Sequence, residues 1–369
     1  MGDRGTGGRS PGPRSPLSLV LVVTGLLAAV FGARALIAAA TGSGAPERTL
    51  AAGSPLRAAQ PSPTQRSASP PSSPSARATK APPRGGLVIH GAGDVSLDPS
   101  YISTYRTSGY GYAWSGLGGL FQRDDLTVVN VECPVSNLGT KVPGKQFNFR
   151  GDPAALPAMR EAGVEVGNLA NNHAYDYGSA ALVDTRRNLL RAGVQPVGAG
   201  KDAAEAARPA IFHVNGWTIA VVGVDEVIDP DYEVATATKP GTAAGHDFQA
   251  ALAEVRAANE QADLVVVDVH WGVELDTRPE SYQVDQGHQL IESGADVIFG
   301  GHSHRLQPLE MFRGRPIFYS LGNFVWPNFS SAGSTTAVAE VTVSSRGRFT
   351  ARMIPAYIQS SGHPVLRGA

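Results

Sequence analysis

Short, unbroken runs of β-branched and other apolar residues recur from position 87 onward, at 87–90, 126–131, 164–169, 217–222, 264–269, 296–299 and 316–319. Runs of this length with little polar alternation mark strands that are covered on both faces. Between them, residues 154–162, 179–192, 247–262 and 282–293 space their apolar side chains at three and four positions, which predicts helices. Strands and helices in this order suggest an α/β sandwich with covered sheets. After residue 319 the pattern changes, and 335–343 and 348–358 alternate in the manner of antiparallel strands. No internal repeat is present.

The first 84 residues follow neither pattern. Arg4, Arg9 and Arg14 precede an apolar, small-residue run at 17–33, then Arg34 and a further stretch of small residues to position 40. A basic flank before such a run reads as a signal peptide or an uncleaved signal anchor. Extension to position 40 makes the run long enough to span, with Arg34 near the outer interface where it can snorkel. Ala38-Ala39-Ala40 offers a cleavage site, and no cysteine follows to carry a lipid. Residues 41–84 are rich in Pro, Ser and Ala and hold too little apolar surface to offset their ordering entropy, so they read as a disordered spacer. The chain therefore divides into a basic flank (1–16), an apolar segment (17–40), a linker (41–84) and one folded domain (85–369), with the domain on the extracytoplasmic face of a membrane or secreted.

Charge sharpens this division. The net charge of −1 hides ten Lys/Arg against two Asp/Glu in residues 1–84, leaving 21 basic and 30 acidic residues beyond. An acidic domain argues against nucleic acid as a partner, because binding it requires a basic face. The one cysteine, Cys133, rules out an internal disulfide framework.

The chemistry lies where the apolar runs stop. They lead into Gly93-Asp94, Asn130-Val131-Glu132, Asn171-Asn172-His173 with Asp176 close behind, His270-Trp271-Gly272-Val273-Glu274, and Gly301-His302-Ser303-His304. In open α/β sheets the C-terminal strand ends converge on one crevice, so these groups can meet. Each fragment alone has an ordinary reading as a turn, a helix cap or a core histidine. Together they supply Asp94, Glu132, Asn172, His270, His302 and His304, a nitrogen and oxygen set suited to Mn, Fe or Zn rather than to a structural zinc. Cys133 follows Glu132 directly, so its side chain points the other way and reads as packing.

These stretches, with Tyr319-Ser320-Leu321-Gly322-Asn323-Phe324, resemble the CapA family of capsule and poly-γ-glutamate synthesis accessory proteins, which in turn resembles the calcineurin-like metallophosphoesterases. The resemblance runs from about residue 87 to 356, in the family's order. It implies a four-layer α-β-β-α sandwich with a dinuclear site: Asp94 and His304 on one divalent ion, Asn172, His270 and His302 on the other, and Glu132 between them. It also implies that His173 stands beside the ions as an acid, with Asn130, Asp176 and Glu274 as partners that orient the site. Two departures stand out. Phosphoesterases of this kind open with Asp-x-His, where this chain has Ser96, and they use an Asp where it has Glu132.

Two functions fit these residues. One is a metal-dependent hydrolase acting on a phosphoester or a γ-glutamyl-type surface polymer. The other is a non-catalytic assembly factor whose metals hold a polyanionic polymer while a membrane synthase extends it.

Overall fold

Adjacent residues of a strand face opposite sides of its sheet, and here both sides are apolar but enter different cores. The computed structural model describes residues 83–227, 233–243 and 247–368. In the strand Leu87–Val95, Leu87 and Ile89 enter one core while Ala92 and Val95 enter another. Leu126 and Val128 of Leu126–Val131 part from Val129 and Val131 in the same way. Trp217, Ile219 and Val221 of Trp217–Asp225 share the first core with Leu264 and Val266 of Leu264–His270. Their neighbours Val222, Val224, Val265, Val267 and Val269 face a third core.

The first core therefore lies between two sheets, and each outer core lies under helices. Leu156, Met159, Leu182 and Leu189 of the helices Leu156–Glu161 and Gly178–Ala192 cover one sheet. Leu252, Val255, Leu290 and Ile291 of Phe248–Asn259 and Ser281–Glu292 cover the other. This is the four-layer α-β-β-α sandwich that the resemblance implies, and it explains why the strand runs carry so few polar residues.

In the first sheet, Leu87–Val95, Leu126–Val131, Val166–Asn168 and Gln195–Val197 run parallel. On the other side of Leu87–Val95 the strands Thr335–Val343, Phe349–Ser360 and His363–Leu366 continue antiparallel. Asn323–Val325 pairs parallel with the far end of Leu87–Val95. The second sheet has the order Leu309–Phe312, Arg315–Phe318, Val297–Gly301, Leu264–His270, Trp217–Asp225 and Ala210–Val214, with its four central strands parallel.

The strand expected at 164–169 is confined to Val166–Asn168. The helix expected from 154 is preceded by a short 3-10 turn, Pro153–Ala155, capped by Asp152, whose carboxylate accepts from the Ala154 amide at 2.9 Å. Gln195–Val197, Ala210–Val214, Leu309–Phe312 and His363–Leu366 had no counterpart among the expected strands. All four are sheet edges, where one side is unpaired and the apolar signal is weaker. The expected apolar segment and nearly all of the linker lie outside the described residues. No helix among the described residues is long and apolar enough to cross a membrane.

Candidate metal centre

Between the sheets, the alternation that starts apolar ends polar. Leu126, Val128, Asn130 and Glu132 share one parity, as do Leu264, Val266, Asp268 and His270. Leu87–Val95 joins this arrangement only through a β-bulge: its register with Leu126–Val131 passes from Ala92 to Asp94, leaving Gly93 extra. The bulge turns Asp94 onto the face that Leu87 and Ile89 occupy. A side chain at Gly93 would collide with the Gly322 carbonyl, and a Cβ at Gly301 would stand 2.6 Å from Asp94 Oδ1. The backbone can close around Asp94 only where these positions have no side chain. Gly301→Ala is therefore expected to displace the Asp94 carboxylate and weaken divalent-metal binding by about tenfold or more. Calorimetric titration with Mn²⁺ measures this, and an unchanged affinity would show that Asp94 does not need this closure.

The structure brings together Asp94, Asn130, Glu132, Asn172, His270, His302 and His304. Asp94 Oδ2 faces His304 Nδ1 at 3.1 Å. Asn172 Oδ1 lies 2.9 Å from His270 Nε2, which lies 3.2 Å from His302 Nδ1. Glu132 Oε1 sits between these two groups, 3.6 Å from His270 Nε2 and 3.8 Å from His304 Nε2. The Asn130 amide reaches Asp94 Oδ1 at 2.9 Å and His270 Nδ1 at 3.2 Å, and is itself held by Asn171 Nδ2 at 2.9 Å.

The donor atoms suit cations. Asp94 Oδ2, Glu132 Oε1 and His304 Nδ1 are buried and lack any aligned hydrogen-bond partner, and one atom from each can lie within 4.8 Å of the others. Burial, then the charge of Asp94, pushes the Glu132 carboxyl well above the usual range. Burial, then His302 and His304, holds His270 well below its ordinary value, and burial with His304 lowers His302 to about 4. Burial opposes the charged form of His304 too, but Asp94 outweighs it and raises the imidazole's pKa. Carboxylates crowded in this way need compensating positive charge, and neutral imidazoles are the form that binds metal. His302 and His304 also hold φ of 82° and 51°, which non-glycine residues adopt at a cost on the order of 1 kcal/mol each. The turn is fixed by the Leu275 amide, which donates to Ser303 O at 2.7 Å.

His173 stands apart from this group. Its Nδ1 contacts Asp176 Oδ2 at 2.8 Å, and its ring packs 4.4 Å from Phe149. A carboxylate can only accept, so Nδ1 carries the proton and Nε2 is left to the cavity that His173 lines. Lys145, which no sequence pattern marked, bonds Asp176 at 2.7 Å and Glu233 at 2.8 Å, and also the Asn172 carbonyl. Burial disfavours its charge, but Asp176 and Glu233 outweigh that and raise its pKa. Lys145→Met leaves two buried carboxylates without their cation and is expected to lower stability by about 3 kcal/mol. Urea unfolding tests this, and a loss below about 1 kcal/mol would mean the pair is not held by Lys145.

A cavity of about 250 Å³ opens over the cluster, lined among others by Ser96, Phe149, His173, His304 and Trp326. Ser96 is buried at this wall, where it offers a hydroxyl in place of an imidazole. Glu274 is exposed at the rim, and no hydrogen bond joins it to the cluster, so its expected orienting contact is not seen. Cys133 is fully buried in the core under the helices, its sulfur accepting from the Leu97 amide at 3.4 Å.

The model of the family described as "Bacterial capsule synthesis protein PGA_cap" matches residues 88–328. The PGA biosynthesis protein CapA of Bacillus subtilis (strain 168) is 34% identical over 209 residues, 56% of this chain and 54% of that protein. The capsule biosynthesis protein CapA of Bacillus anthracis is 28% identical over 280 residues, 74% of this chain and 68% of that protein. The chain thus spans about half the length of the first relative and about two thirds of the second. Among solved structures, the NAD nucleotidase of Haemophilus influenzae superposes with a TM-score of 0.46 at 16% identity, covering 77% of this chain and 54% of that one.

Proposed function

Because this chain belongs to the bacterial capsule synthesis protein family PGA_cap, we propose that it serves the synthesis, export or anchoring of poly-γ-glutamate or a related surface polymer, from the outer face of the cell membrane, through a two-metal centre with hydrolytic capability. The names of its Bacillus relatives support the process. The basic flank and apolar segment of residues 1–40 support the location. The observation that carries the chemistry is Glu132 Oε1: fully buried, without a hydrogen-bond partner, and set between two groups of nitrogen and oxygen donors.

Asp94 and His304 would hold one divalent ion (Mn, Fe or Zn), Asn172, His270 and His302 the other, with Glu132 shared. Such ions, when bound, supply charge neutralisation and Lewis acidity at a phosphoryl or acyl oxygen. The protein's own part is positional. Asn130 fixes Asp94 and His270, Asn171 fixes Asn130, and Asp176 sets the His173 tautomer. His173 Nε2 faces the cavity, where it can take a proton from water and, as the imidazolium held at Nδ1 by Asp176, pass that proton to a leaving group.

Elemental analysis of the full chain and of His302→Ala tests the centre. The expected result is bound Mn, Fe or Zn in the former and its loss in the latter; a metal-free, folded protein would end the proposal. His173→Ala is expected to keep the metal and lose about 100-fold or more in turnover on a panel of phosphomonoesters, phosphodiesters and polyglutamate. Metal without turnover on any of them would favour the second reading, an assembly factor that holds a polyanion for a membrane synthase. The observation on its side is Ser96, which leaves the Asp94 ion without an imidazole from that position.

A further inference from the structure

The cavity above the cluster is built for more than an anion. Phe149 and Trp326 meet at 5.3 Å and join His173, 4.4 Å from Phe149, to His304, 4.9 Å from Trp326, so an aromatic wall runs between the proton-handling and ligand histidines. Outside that wall, Phe147 is 50% exposed, Leu275 61% and Phe329 78%, and all three line the same cavity. Leu275 is held there at a φ of 68° by its bond to Ser303. A strained leucine whose side chain faces water beside a functional cluster is an outlier that points to a role, and clustered exposed apolar residues mark a binding site. The cavity's one arginine, Arg305, bonds the His304 carbonyl at 2.7 Å, and no carboxylate among the described residues pairs with it.

We infer that this cavity takes an anionic group carried on an apolar body, Arg305 holding the anion beside the cluster while Phe147, Leu275 and Phe329 flank the body. A phosphate monoester of an alkyl chain has this chemistry. A polymer with a carboxylate on every residue does not, since it has no apolar body to place against the rim and meets a single guanidinium. The inference rests on the preceding reading only in setting the anion against the cluster.

Titrating methyl, propyl, hexyl and phenyl phosphate into the full chain, with Mn²⁺ and with EDTA, tests it. Apolar burial grows with area, so hexyl phosphate is expected to bind at least about tenfold more tightly than methyl phosphate. Phenyl phosphate matching hexyl phosphate would assign a planar body, and falling well below it an extended chain; either supports the inference. Arg305→Gln should weaken every ester by about tenfold and keep the preference for chain length. The double variant Phe147→Ser/Phe329→Ser should flatten that preference and leave methyl phosphate unchanged. Equal affinity for methyl and hexyl phosphate in the unaltered chain, or a preference that survives the double variant, overturns the inference. A chain that takes up no metal but keeps the preference supports it and overturns the metal centre; one that binds metal without the preference does the reverse.

Discussion

Glu132→Gln is expected to cost the chain at least about 100-fold in divalent-metal affinity, more than any other single change at the cluster. The substitution keeps the volume and removes the charge. Among the described residues Glu132 is the one carboxylate in contact with both His270 and His304, at 3.6 and 3.8 Å, so its loss acts on both donor groups, whereas a change at His302 acts on one. Gln also introduces an amide donor where Oε1 has no acceptor to meet it. Glu274→Gln provides the control: that residue is exposed at the rim and should change affinity by less than about twofold. Metal content after dialysis against Mn²⁺ and calorimetric titration measure both variants. Glu132→Gln binding metal as well as the unaltered chain would show that the carboxylate is not shared.

The second large effect is a stabilisation by metal that depends on pH. Without metal, burial and Asp94 hold the folded-state pKa of Glu132 well above its ordinary 4.5. The folded chain therefore keeps a proton that the unfolded chain has released. Stability from this group is fully present below about 4.5 and is lost as the pH rises toward the folded pKa. Asp225, raised well above its ordinary value by burial, and Asp268, raised to about 7 by burial, act in the same direction. A bound cation reverses the effect at Glu132 by holding the carboxylate ionised, and ligand protonation releases that cation in acid. EDTA should therefore lower Tm by about 10 °C at pH 8, the shift expected for a ligand far above its Kd, and very little at pH 5. Thermal melts from pH 5 to 8, with EDTA and with Mn²⁺, measure this. A shift independent of pH would show that Glu132 does not titrate with metal binding.

Much of the site was legible because it interrupts a strong pattern. Asn130, Glu132, His270 and Asp94 stand at the ends of apolar strands, where a polar residue has no packing role, and the sandwich brings those ends together. The covered strands were legible for the same reason, since continuous apolar runs allow few alternatives. Lys145 was not. It lies in a loop between Gly144 and Gln146 and acts on Asp176 and on Glu233, the latter 88 positions away. No local spacing encodes such a contact. Arg305 directly follows His304 in the chain, but its role depends on which carboxylates surround it, and only the folded chain defines that. Edge strands such as Leu309–Phe312 failed for a different reason: they have one wet side, and their residues are half-buried or exposed.

The extra residue in Leu87–Val95 separates inheritance of the scaffold from inheritance of its chemistry. Asp94 lies five positions after Ile89, an odd step that in a regular strand sets two side chains on opposite faces. The bulge at Gly93 absorbs the odd residue, so a strand straightened without being shortened would keep its sandwich and turn the carboxylate toward the helices. Deleting Gly93 outright would leave Asp94 opposite Asn130 and on the same face. The scaffold and its cations would thus part through straightening of the bulge and not through shortening of the strand.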